Sequence, residues 1–99
     1  MNKDNGKPYS IGSNHWTGLS KLIEETGEVS QVCGKILGTG GAEDHWDGTN
    51  LRTRLEEELA DLTAAIAFVT SRNKLDYEAI QKRASAKLAK FGEWHEEGQ

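Results

Sequence analysis

Five acids stand at spacings that can gather charge on one side of a helix: Glu24, Glu25 and Glu28 in one segment, Glu58 and Asp61 in another. Glu25 and Glu28 are three apart, as are Glu58 and Asp61, and side chains at that spacing are neighbours on an α-helix. On a wheel turning about 100° per residue with Leu51 at zero, Leu55, Leu59, Leu62, Ile66 and Val69 span about 0–80°. Glu58 falls at about 340°, on that stripe, and Asp61 at about 280°, on its flank. In the earlier segment, with Leu19 at zero, Leu22, Val29 and Ile36 fall at about 260–300°. Glu25 falls beside them at about 240°, Glu28 at about 180° and Glu24 farther out at about 140°. A carboxylate on a buried face is unfavourable unless it is paired, hydrogen-bonded or bound to a metal. Antiparallel packing of the two segments brings Glu25, Glu28, Glu58 and Asp61 together, and four clustered carboxylates repel one another unless a cation offsets them. An all-oxygen donor set without Cys or His suits Mg²⁺, with Mn²⁺ as a substitute. Mg²⁺ held this way keeps waters and takes up phosphate oxygens, which points to phosphoryl chemistry on a nucleotide-like substrate. The plainer alternative is that acids near helix starts answer the helix dipole. It accounts for Glu56 and Glu57, and Glu24 can pair with Lys21, but it accounts poorly for Glu58 and Asp61.

The elements that must position these acids are helices. Leu19, Leu22, Ile23, Val29, Val32, Cys33, Ile36 and Leu37 recur at spacings of three and four, which predicts a helix from His15 or Trp16 to Leu37. A second is expected from Leu51 to Thr70, capped by Asn50 or through a capping box of Thr53 and Glu56. Asp76 is expected to cap a third that runs to Phe91, with Tyr77, Ile80, Ala84, Leu88 and Phe91 on one side. Residues 38–50 are Gly-rich and polar and form a long loop. Residues 1–14 are expected as a flexible arm and 92–99 as a frayed tail. No stretch alternates as a strand does. The fold class is therefore all-α, one domain over residues 1–99, with three main helices and room for a further short helix in the arm or loop.

Composition narrows the function classes. The chain has 12 Lys+Arg against 16 Asp+Glu, a net charge of -4, which argues against a nucleic-acid polymer as partner. No apolar run approaches the roughly 20 residues of a membrane span, so no membrane partner is expected. Met1–Asn14 is polar and Cys33 is the single cysteine, so a cytoplasmic location is expected. One Cys and no His pair four apart argue against a zinc site, and no Walker A sequence is present. A chain this short buries a modest core, so a homodimer or homotetramer is expected to complete it.

Glu24-Glu25-Thr26-Gly27-Glu28 fits an EExxE motif, and Glu58-Leu59-Ala60-Asp61 fits the ExxD that follows it. With LSKLIEETGEVSQ and LEEELADLTAAIAFV around them, the chain from about Trp16 to Phe91 resembles the MazG-type nucleoside triphosphate pyrophosphohydrolases of the all-α NTP pyrophosphatase superfamily. The resemblance implies Mg²⁺-dependent hydrolysis of a nucleoside or deoxynucleoside triphosphate between the α and β phosphates, releasing pyrophosphate. It implies Glu25, Glu28, Glu58 and Asp61 as metal ligands. Glu24 would orient or activate water, with Glu25 beside it as a catalytic residue. Ser85–Phe91 is similar to the family's N-x-K-F-x-x-R-F segment, with Ser85 in place of Asn and Lys90 in place of Arg, so Lys87 and Lys90 are candidates for the β and γ phosphates. Trp16 and Trp46 are candidates for stacking on the base. The interval from Glu28 to Glu58 is at the long end for the family. The competing class is a non-catalytic helical oligomerisation or nucleotide-binding module whose acids form salt bridges. The presence of all four ligand acids favours the enzyme.

Overall fold

The structure, a computed structural model, describes residues 7–98. It is all-α, with α1 at Leu19–Gly38, α2 at Leu51–Arg72 and α3 at Tyr77–Glu96. Among the described residues the one β pairing is an isolated bridge between Asp44 and Asn50. Neither the arm from residue 7 nor the loop after α1 contains a further helix; both are built of turns.

α1 begins later than its periodicity predicts. Trp16 has φ 49° and Gly18 has φ 86°, both left-handed, so the chain turns just ahead of the helix. A Cβ on Gly18 would lie 2.8 Å from Cδ2 of Phe68, so the start of α1 is pressed against the last third of α2. α2 uses the Asn50 cap rather than the capping box: the Asn50 side chain accepts from the Thr53 N–H at 2.9 Å. Asp76 caps α3 as expected, accepting from the Ala79 N–H at 2.9 Å. α3 runs past Phe91, where the third helix was expected to end, and continues through Gly92 to Glu96. A Lys90–Glu93 ion pair at 3.5 Å and a Phe91–Trp94 ring contact at 5.5 Å span the glycine and hold that turn.

α1 and α2 pack as a helical hairpin. The faces turned away from solvent carry Leu22, Glu25, Val29, Val32 and Ile36 on α1, and Leu51, Leu55, Glu58, Leu62, Ala65 and Val69 on α2. Those spacings alternate between three and four, the pattern of a two-helix seam. Val32, Leu51, Ala65 and Val69 are its fully buried apolar members. The seam is rotated from the stripe the wheel predicts. Leu59 and Ile66 stay 46% and 44% exposed, while Ala65 and Glu58 are buried. The small Ala65 lets the helices approach there, and Glu58 enters with a cation from its own helix.

α3 packs closely on neither of the others and none of its residues is buried. Tyr77, Leu88 and Phe91 are more than half exposed. The radius of gyration is 17.0 Å, against about 13 Å for a compact chain of this length.

Residues 7–14, part of the expected arm, fold back on the hairpin. The Gly18 N–H donates to the Ser10 carbonyl and the Ser20 N–H to the Tyr9 carbonyl, each at 2.9 Å. Thr17 Oγ1 donates to the carbonyl of the buried Ser13 at 2.6 Å. Asn73, just past α2, fastens this loop. Its side chain accepts from the Thr17 N–H at 3.0 Å and donates to the Thr17 and Val69 carbonyls at 2.9 Å each. The part of the arm at residues 1–6 lies outside the described residues.

Candidate metal centre

The antiparallel register sets Glu25, in the seam of α1, opposite Glu58 and Asp61 of α2. One carboxylate oxygen from each of the three lies within 4.8 Å of the other two. The acids are graded in depth: Glu58 is 5% exposed, Glu25 half-buried and Asp61 exposed. Glu58 has a cation of its own, with Arg54 Nη2 at 3.2 Å from its Oε1. Arg54 also stands 3.7 Å from Glu57. Among the described residues neither Glu25 nor Asp61 has an ion-pair partner. Burial pushes the Glu25 carboxyl above its ordinary value, and Asp61, Glu24 and Glu58 push it the same way against the pull of Lys21. The centre is therefore short of positive charge at its outer edge, which fits a donor set for a hard divalent cation.

A cleft of about 470 Å³ opens beside the acids. Lys21, Glu25 and Asp61 form its polar wall, and Ile11, Gly18, Ala64, Ala65 and Phe68 the apolar one. Lys21 Nζ also meets Glu24 Oε2 at 3.2 Å, the pairing its spacing suggests.

The remaining expected site residues lie elsewhere on this chain. Glu28 is half-buried one turn farther along α1 and is not among the acids that close to within 4.8 Å. Glu24 is exposed and does not line the cleft. Trp16 is 48% exposed and does not line the cleft. Trp46 is 89% exposed in the loop after α1, its ring 5.3 Å from that of His45. The loop meets α2 at Leu51, about 10–15 Å along the helix from Glu58 and Asp61. Lys87 and Lys90 line a separate hollow of about 200 Å³ with Arg83 and Ala86 on α3. Lys87 Nζ lies 6.0 Å from the centre of the Trp94 ring. Lys21, Arg54 and Phe68 take part in the site without having been expected there. Arg54–Glu58 and Lys21–Glu25 are both four apart, a spacing that could have exposed the two cations. Comparison with family models, curated proteins and solved structures finds no match to this chain.

Proposed function

We propose that this chain hydrolyses a nucleoside or deoxynucleoside triphosphate at the α–β bond, in an Mg²⁺-dependent reaction of the MazG type. One observation carries the proposal. Three carboxylates from two helices close to within 4.8 Å beside a cleft, and among the described residues two of them, Glu25 and Asp61, form no ion pair within 4.0 Å. Glu25, Glu58 and Asp61 would hold the ion, with Glu28 from the next turn as the fourth ligand. When bound, Mg²⁺ (or Mn²⁺) offsets phosphate charge and lowers the pKa of a bound water. Glu24, exposed next to Glu25 in sequence, would accept a proton from attacking water. Lys21 lines the cleft and sets a positive charge toward the phosphates. The products are the nucleoside monophosphate and pyrophosphate.

Self-association belongs to the same proposal. The apolar side of α3, with Leu88 and Phe91, is unpartnered, as are Leu59 and Ile66 on the hairpin. A homodimer or homotetramer would cover them. It would also give Trp46, Lys87 and Lys90 a route to a site on another copy. The cytoplasm is the proposed location.

Arg54 favours a second proposal. Because it already neutralises Glu58, the buried acid is explained without a metal, as a non-catalytic helical module requires. The assay that separates the two is pyrophosphate release from a panel of NTPs and dNTPs with and without Mg²⁺. Turnover that disappears in Glu58→Gln and Asp61→Asn supports the enzyme. No release from any nucleotide, with no rise of melting temperature in Mg²⁺, leaves the module. In that case Glu58→Gln should lower the melting temperature by the loss of its ion pair with Arg54, to the same extent with and without Mg²⁺.

A further inference from the structure

A second hollow of about 450 Å³ adjoins the acid cleft and shares Ile11 and Phe68 with it. Thr17 and Arg72 are among its other walls. The Arg72 guanidinium lies 5.2 Å from the centre of the Phe68 ring. Phe68 is itself seated on backbone: two of its ring carbons stand 2.8 and 3.0 Å from where a Gly18 Cβ would be. Asp61, Phe68 and Arg72 are spaced seven and four residues apart, so they share one side of α2, about 10 and 16 Å along the axis from Asp61. The two hollows thus form one groove, from the acids past Phe68 to Arg72, roofed by the folded-back N-terminal loop.

We infer that the Arg72 end of this groove is a nucleobase subsite and that it selects keto bases. The inference rests on the proposal that the acid cleft takes metal-bound phosphates. The guanidinium is planar, and its edge can meet the edge of a base that lies in the same plane beside it. The rim of the guanidinium carries donors and no acceptor. Guanine O6 and N7 and thymine O4 accept from it, whereas adenine N6 and cytosine N4 present hydrogens in the same place. A cation in the last turn of α2 also answers the helix dipole. That role explains the charge but not the groove, and Arg72→Met removes the donors while keeping an unbranched side chain.

The test is calorimetric binding, in Mg²⁺, of non-hydrolysable α,β-methylene analogues of dGTP, dTTP, dATP and dCTP, and of inorganic tripolyphosphate. The wild type should bind the two keto-base analogues about tenfold more tightly than the other two and than tripolyphosphate. Arg72→Met, which removes every donor, should erase that preference and, about 16 Å along the helix from Asp61, leave tripolyphosphate affinity within about twofold of the wild type. Equal affinity for all four analogues, a different order among them, or a preference that survives Arg72→Met overturns the subsite. Loss of tripolyphosphate affinity in parallel with the nucleotides overturns it too. If the wild type fails to bind tripolyphosphate at all, the phosphate proposal falls and takes the subsite with it. Firm tripolyphosphate binding without base preference removes the subsite alone.

Discussion

Replacing Arg54 by Met strips the buried Glu58 carboxylate of its cation. The guanidinium stands 3.2 Å from Glu58, whose side chain is 7% exposed, while that of Arg54 is 43% exposed. Breaking one side of a fully buried pair costs about 3–5 kcal/mol, and an exposed pair is worth about 0–1 kcal/mol. A half-exposed guanidinium over a buried carboxylate falls between these limits, at about 1–2 kcal/mol. In a domain of this size each kcal/mol moves the melting temperature by about 4–8 °C, so Arg54→Met should lower it by about 4–16 °C without metal. A cation bound at the acids takes over part of the role of the guanidinium. Mg²⁺ at a hundredfold excess over its Kd stabilises the wild type by about 2.7 kcal/mol, and it should stabilise the variant by more. Scanning calorimetry at fixed protein concentration, with and without Mg²⁺, reads both effects. A melting temperature equal to that of the wild type would show that the ion pair contributes nothing. A gap between the two proteins that Mg²⁺ leaves unchanged or widens would refute Glu58 as a ligand.

Gly18→Ala should destabilise by about 2–4 kcal/mol, through the left-handed φ and the overlap with Phe68. Gly27→Ala, in open space on α1, should stabilise by up to about 1 kcal/mol; urea midpoints that fail to move apart in opposite directions contradict the packing at Gly18. Asp47 is held down to about 2 by hydrogen bonds from the side chain and backbone of Thr49, with a smaller contribution from His45. Because the folded value lies below the ordinary 3.8, the stabilisation is complete above pH 3.8 and is lost as pH falls through about 2. An NMR titration of the Asp47 carboxyl should show a midpoint near 2 that rises in Thr49→Val; a wild-type midpoint at 3.8 rules the network out. Asp76→Ala should cost about 1 kcal/mol of cap stability and speed amide exchange in the first turn of α3, and unchanged exchange there would discount the cap.

The depth ordering of the acids was legible because a helix wheel reports angle. Glu58 on the stripe is buried, and Asp61 on its flank is exposed. The wheel could not report which of two adjacent rows becomes the seam. Leu59 and Ile66 look more apolar than Glu58 and Ala65, yet the seam follows the smaller Ala65 and the carboxylate that Arg54 accompanies. The caps at Asn50 and Asp76 were legible because their bonds are local. The late start of α1 was not, since left-handed Gly18 sits against Phe68, fifty residues farther along the chain. The separation of α3 was equally hidden: its periodic apolar face states that a partner is needed and not where that partner lies. Lys87 and Lys90 were expected at the phosphates from motif position and Trp46 at the base as a Trp in a polar loop, and the fold of one chain sets all three apart from that cleft.

The Asn73 staple makes the N-terminal loop a separate unit of motion. One amide side chain spans 56 residues of sequence and fastens the loop through both backbone groups of Thr17. The loop can lift from α2 by breaking these bonds, with no helical hydrogen bond of α2 lost. Its opening free energy is thus decoupled from that of the hairpin, in the way that small cooperative units open below global unfolding. Hydrogen exchange at the Thr17 amide reports that opening directly, and Asn73→Ala should accelerate it while the amide of Val32 keeps its protection. Residues that tune the staple would set how often the floor of the groove meets solvent without altering how firmly α1 and α2 hold together.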